Sequence, residues 1–210
     1  MSAVIAPVRD EPIRLTREDV ARADFYALIA HLLYSPDAQL LRSIAASDEI
    51  AAETANAPLT QAWHALVAAA EACEAEAVIE EYENLFIGVG RAEVMLFGSY
   101  YLAGFMMEKP LALLRDDLAQ MGFARNEAVR EPEDHLAALC DVMRHMVQGD
   151  ENQEKPALEQ QKQFFARHIQ SWYPRFCDAV LESKSANFYK HVAHLIKVFF
   201  DIESESFEML

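Results

Sequence analysis

The run Glu131-Pro132-Glu133-Asp134-His135, continuing into Leu136-Ala-Ala-Leu-Cys-Asp-Val-Met-Arg-His-Met-Val147, constrains the fold of this chain more than any other stretch. It joins a hard stop to a strong helix start. A residue before proline is driven out of the helical region, so Glu131 belongs to a link. Pro132 suits a first helical position, where its missing N–H would have had no partner. Glu133 and Asp134 are then expected in the first turn, where the positive end of the helix dipole favours acids. Leu136, Leu139, Cys140, Met143, Met146 and Val147 recur at three-and-four spacing and predict one buried helix face. His135 borders that face. The plain reading is a capped helix with a histidine at its shoulder. The sharper one is a charged notch beside an apolar surface, placed to receive a basic, apolar peptide.

The rest of the chain points to helices as well. Its 210 residues include only 6 glycines and 8 prolines, and 52% are hydrophobic, enough for a real core in one generous domain. Asp and Glu number 34 against 18 Lys and Arg. That surplus repels nucleic acid and anionic membranes and attracts basic partners, although solubility alone would account for it. Cys73, Cys140 and Cys177 are scattered and odd in number, with no CxxC, as expected of a reducing cytoplasm. The N-terminus lacks the basic start and apolar run of an export signal, and no apolar run approaches a membrane span. Residues 1–14 read as a flexible lead, short, proline-bearing and without periodicity.

Along the chain, Thr16 with Asp19 predicts a capping box for a helix carrying Phe25, Leu28, Ile29, Leu32 and Leu33. Ser35-Pro36 ends it and starts another through Leu40, Leu41 and Ile44. A helix with Trp63, Leu66 and Val67 comes next, and then one whose buried line is Val78, Tyr82, Leu85 and Phe86. Gly88 and Gly90 break that helix. The segment Ser99–Met107 is apolar and aromatic, and Lys109-Pro110 opens a helix that Gly122 stops. Residues 123–131 form a polar link and a natural hinge, and a second polar break precedes Pro156. Phe165, His168, Ile169 and Trp172 share a face, Pro174 kinks or restarts that helix, and Val192, Leu195, Ile196 and Phe199 mark the last one. Residues 201–210 read as an acidic tail free to fray. No period-two alternation persists and no repeat is visible. The expectation is an all-α bundle of about ten helices over residues 15–200.

Catalytic constellations are not apparent. His191 and His194 share a side of the last helix, but nothing like HExxH accompanies them, so no metal is expected. Gly98-Ser99 lacks the GxSxG elbow and its strand, and Cys140 on an apolar face is an inert thiol. The Gly88/Gly90 loop invites a nucleotide, yet no GxxxxGK[ST] and no preceding strand support it. Tyr100, Tyr101, Phe105, Met106 and Met107 exceed one buried stripe. They either fill the core or present an adaptable apolar surface.

Two segments resemble a known family. Glu81-Tyr-Glu-Asn-Leu-Phe-Ile-Gly-Val-Gly90 is similar to the Y-x-x-L-F-x-G-P-G segment of TorD-type redox-enzyme maturation chaperones, with Val89 in place of proline. Glu131-Pro-Glu-Asp-His135 resembles that family's E-P-x-D-H hinge motif. Gly98-Ser-Tyr-Tyr101 and Asn187-Phe-Tyr189 are weaker echoes. The resemblance implies an all-helical cytoplasmic chaperone without catalytic turnover or cofactor. It would bind the twin-arginine signal peptide and body of a molybdenum or tungsten oxidoreductase, in a pattern most like members associated with formate dehydrogenase. Glu131, Pro132, Glu133, Asp134 and His135 then form the peptide-binding centre, with Tyr100, Tyr101, Leu85 and Phe86 lining or supporting an apolar groove. Monomer and helix-swapped dimer both remain open. The alternative class is a nucleotide-binding switch or enzyme using Gly88 and Gly90.

Overall fold

The computed structural model describes residues 15–47, 57–88, 90–125, 129–149 and 156–210. The expected lead at 1–14, the core of the link (126–128) and most of the polar break before Pro156 lie outside the described residues. Ten α-helices make up the described chain, without a strand beyond one isolated bridge between Phe97 and His135. They are α1 (Arg17–Tyr34), α2 (Ala38–Ala45), α3 (Pro58–Ala72), α4 (Ala75–Tyr82), α5 (Gly98–Ala103), α6 (Lys109–Gln120), α7 (Leu136–Gln148), α8 (Leu158–Phe165), α9 (Tyr173–Glu182) and α10 (Phe188–Glu208).

The α1–α7 pair is the spine. Thr16 Oγ1 accepts from Asp19 N and the Asp19 carboxylate accepts from Thr16 N, at 3.0 and 3.1 Å, so α1 opens on the expected capping box. Ile29, Leu32 and Leu33 are fully buried, as is the whole predicted α7 stripe from Leu136 to Val147. These helices lie on opposite sides of the glycine break in sequence yet pack along each other. The two halves of the chain therefore interleave in one core. On its other flank α1 meets α10, where Phe25 stacks on Phe199 (5.2 Å) and Tyr26 meets both Phe199 and Phe200. α10 also covers α3 and α9.

Three local features depart from the sequence reading. First, α7 begins at Leu136 rather than Pro132. Pro132–Asp134 forms a turn closed by His135 N donating to Pro132 O (3.1 Å), and His135 is the N-cap, its Nδ1 accepting from Ala137 N at 3.2 Å. Second, α4 and α8 each run on into a π-helical turn, at Glu83–Ile87 and Ala166–Gln170. The wider turn swings Leu85 and Phe86 inward together, and Gly88 ends it at φ +63°. A Cβ on Gly88 would stand 2.3 Å from the Arg91 carbonyl oxygen, so only glycine allows this return of the chain. Third, the expected fraying tail is helix to Glu208. Glu203, almost wholly buried, accepts from Arg22 Nε and Nη2 (2.7 and 2.8 Å) and from Tyr26 Oη (2.8 Å), clamping the end of α10 to α1.

Candidate functional site

The Glu131–His135 motif sits where three segments meet: the end of α1, the approach to α5 and the start of α7. Leu136 N donates to Leu96 O at 2.8 Å and Gly98 N to Asp134 O at 2.9 Å, so residues 96–98 lie strand-like across 134–136. The Asp134 side chain adds a third tie, Oδ2 accepting from Ser99 N at 2.7 Å at the first turn of α5. Its Oδ1 is buried without a hydrogen-bond partner among the described residues, and Asp134 is only 4% exposed. The His135 ring stacks flat on Tyr34 (5.3 Å, 6°) and meets Phe97 edge-on. Burial pushes its pKa down to about 4 against the pull of Glu131, which keeps the imidazole neutral and Nδ1 free to accept.

The two glutamates of the motif face outward. Beside them opens a cleft of ≈ 520 Å³ between the end of α1, α6, the link after it and α7. Leu118, Ala119, Phe123, Val129, Ala138 and Val142 give it an apolar lining, and Glu131, Glu133 and Asp141 supply carboxylates. Arg115, Arg125 and Arg144 lie at the same cleft. Arg115 Nε and Nη2 both donate to Glu133 Oε2 (3.0 and 2.8 Å), and Arg125 Nη1 lies 3.9 Å from Oε1. Partial burial alone would raise the Glu133 pKa, but the Arg115 pair holds it below the usual carboxylate range. Glu131, exposed, has no ion-pair partner among the described residues. The Tyr34 hydroxyl is pushed up to about 12, first by burial and then by the negative fields of Asp141 and Glu131, which converge on it.

The structure thus divides the nine expected peptide-binding residues. Glu131 and Glu133 reach the cleft, and Pro132 shapes the turn that presents them. Asp134 and His135 lie behind the wall, in contact with protein rather than with open space. Leu85 and Phe86 belong to the core, where Phe86 meets Tyr82, Phe176 and Tyr189. Buried that deeply, they support the fold and do not line the cleft. Tyr100 and Tyr101 sit half-buried on α5 and do not line it either. Tyr101 stacks on the buried Trp172 (5.3 Å, 15°) and donates to Met95 O, and Tyr100 Oη accepts from Arg91. Phe105 and Met107 are exposed. The cleft residues that sequence reasoning did not single out are Tyr34, Leu118, Phe123, Asp141 and Val142. One clue to them was the aromatic Phe123 inside a link otherwise read as polar.

Gly88 and Gly90 have conformational reasons of their own. Both carry positive φ, and the first is required by the close pass of Arg91. Among the described residues no group of three or more His, Cys, Asp or Glu side chains is placed to hold a metal ion, and no helix is long and apolar enough to cross a membrane. Cys140 and Cys177 are buried thiols whose pKa values burial drives up.

An all-helical body of interleaved halves, with a cleft of paired charges and apolar side chains at the start of its central helix, is the class this architecture defines. A solved structure from Archaeoglobus fulgidus, of a protein proposed to act in redox enzyme maturation, shares the fold. Its TM-score is 0.57 at 15% identity over 92% of this chain and 98% of that one. The sequence profile of the nitrate reductase delta subunit family matches residues 52–178, and the chain belongs to that family. Similar curated proteins include the chaperone protein TorD of Vibrio parahaemolyticus, 27% identical over 131 residues (59% of this chain, 61% of that one). The TorD chaperone of Aliivibrio fischeri is 25% identical over 130 residues (59% and 60%). The matched region spans about three-fifths of the length of these relatives.

Proposed function

We propose that this chain is a cytoplasmic maturation chaperone for a molybdenum or tungsten oxidoreductase, without catalytic turnover of its own. Its family and its chaperone relatives support the general role. In the finer reading, it holds the twin-arginine signal peptide of its client, formate dehydrogenase being the assignment that the central motifs favour, and delays export until the cofactor is in place.

The observation that carries the peptide reading is the cleft beside the motif. A twin-arginine segment offers two guanidinium groups and then an apolar run. Glu131 and Asp141 supply carboxylates, whose geometry suits the flat arginine fork. Leu118, Phe123 and Val142 supply an apolar floor for the run beyond the arginines. Glu133 is shared with Arg115 and Arg125, and Asp141 with Arg144, so at both an incoming arginine competes with the protein's own. The test is calorimetric titration with a synthetic peptide carrying two consecutive arginines and an apolar run, against a control with two glutamines in their place. Saturable binding that weakens with salt and fails for the control is the expected result. No saturable heat with candidate signal peptides would sink the peptide reading while leaving the family assignment intact.

A further inference from the structure

Asp134 is the buried carboxyl residue of the motif, and its surroundings give it a different task from its glutamate neighbours. Its main-chain carbonyl and one carboxylate oxygen together grip the Gly98 and Ser99 amides, at 2.9 and 2.7 Å. Leu136 N on Leu96 O closes the same patch from the other side. These three bonds weld the 96–99 segment to the 132–136 turn, which carries Glu133 and is entered directly from Glu131. Beyond Ser99 the chain stays linked: Ser99 Oγ accepts from Met107 N at 3.2 Å, and α5 packs on α6, which contributes Arg115 and Leu118 to the cleft. The Asp134 side chain therefore joins the turn that presents the glutamates, through Ser99 and α5, to α6, which also lines the cleft and meets Glu133 directly through Arg115.

From this geometry we infer that Asp134 is a positioning residue for peptide binding. It acts through the Ser99 amide to set where Glu131 and Glu133 stand, and it does not receive an arginine itself. The inference deepens the peptide-binding reading and rests on it. A capping acceptor and an arginine receptor make opposite demands. The cap needs an oxygen at the Oδ2 position and is indifferent to net charge, so asparagine serves. The receptor needs the charge, so asparagine fails.

Asp134→Asn and Asp134→Ala distinguish the two roles, read by affinity for the two-arginine peptide across a salt series and by hydrogen exchange at the Ser99 amide relative to α10. Asn is expected to bind within about threefold of the parent with the same salt dependence and a protected Ser99 amide, whereas Ala loses both that protection and affinity while α10 stays protected. Should Asn open the amide, affinity falls with it and the salt dependence stays as in the parent. The inference is overturned if Asn keeps the amide protected but loses more than about tenfold in affinity with a flattened salt dependence, the mark of a deleted charge contact. It is overturned equally if Ala opens the amide and binding is unchanged. Should Ala fail to fold, the asparagine variant decides alone. If the parent binds no two-arginine peptide, the peptide reading fails, and the exchange measurements still show whether Asp134 caps α5.

Discussion

Within five consecutive residues the chain assigns separate physical tasks. Glu131 meets solvent at the cleft, Glu133 is shared with two arginines, Asp134 ties two segments, and His135 caps α7. Substituting Glu131 by Gln removes charge and keeps size, so the folded state should be unaffected. Affinity for the two-arginine peptide should fall roughly two- to fivefold with a shallower salt dependence, the scale of one partly exposed ion pair, checked by titration at two ionic strengths. His135 carries a pH signature. Its pKa in the folded chain is about 4, below the value near 6.5 of an open histidine, so the unfolded chain takes up the extra proton. The stabilisation is complete above about pH 6.5 and is lost as pH falls toward 4, amounting to roughly 3 kcal/mol across that window. Urea unfolding of His135→Asn, which keeps a capping oxygen but cannot titrate, should show a correspondingly flatter dependence between pH 6.5 and 4.5. An unchanged slope would mean that the histidine is not the group responsible.

Helix by helix, most of the architecture was legible because amphipathic spacing is a strong signal over ten or more residues. The buried stripes of α1, α7 and α10 came from apolar periodicity, and the α1 start from Thr16 and Asp19. What was not legible has a common cause: tertiary partners redirect local capping rules. Pro132 and two acids predict a helix start, but Asp134 is engaged by Ser99, and the start moves to His135. The π-turn after α4 is equally silent in sequence, since one extra residue in a turn changes no periodicity in a short window. Its consequence is specific at Gly88, where both the φ of +63° and the 2.3 Å approach of Arg91 O exclude a side chain. Gly90, at φ +92°, has nothing within 4 Å of the equivalent position. Gly88→Ala should therefore lower stability by at least about 2 kcal/mol, combining backbone strain with a main-chain clash, while Gly90→Ala should cost about 1 kcal/mol from backbone strain alone. Denaturant midpoints of the two variants test the contrast, and equal losses would contradict it.

At the level of the whole molecule, the cleft exists because distant segments are held in register, and no sequence window reports that. Tyr34 closes α1, Phe123 comes after α6 and Val142 lies off the buried stripe of α7. Each is unremarkable alone; the packing of α1 on α7 brings Tyr34 and Val142 together, and the contact of Phe123 with His145 adds the segment after α6. The same holds for the last ten residues, whose acidity suggests a solvated tail. Glu203 is instead buried against Arg22 and Tyr26, with Gln161 bonded to Arg22 from α8 and Phe207 under the guanidinium at 5.5 Å. A desolvated pair of this kind is costly to break on one side, because the remaining charge stays buried. Glu203→Ala should destabilise the chain by roughly 3–5 kcal/mol, and Glu203→Gln by less, since it keeps size and part of the hydrogen bonding. Replacing the whole cluster, with Arg22→Met, Tyr26→Phe and Glu203→Leu together, removes the charges and the orphaned hydroxyl at once. It leaves Gln161 short of one donor and Asp19 without the Arg22 guanidinium 4.0 Å away, at the better-solvated edge of the cluster, so much of the stability should return. Chemical unfolding of the four proteins decides the matter: a triple variant as unstable as Glu203→Ala would show that packing of α10, rather than its buried carboxylate, secures the C-terminal end to the spine.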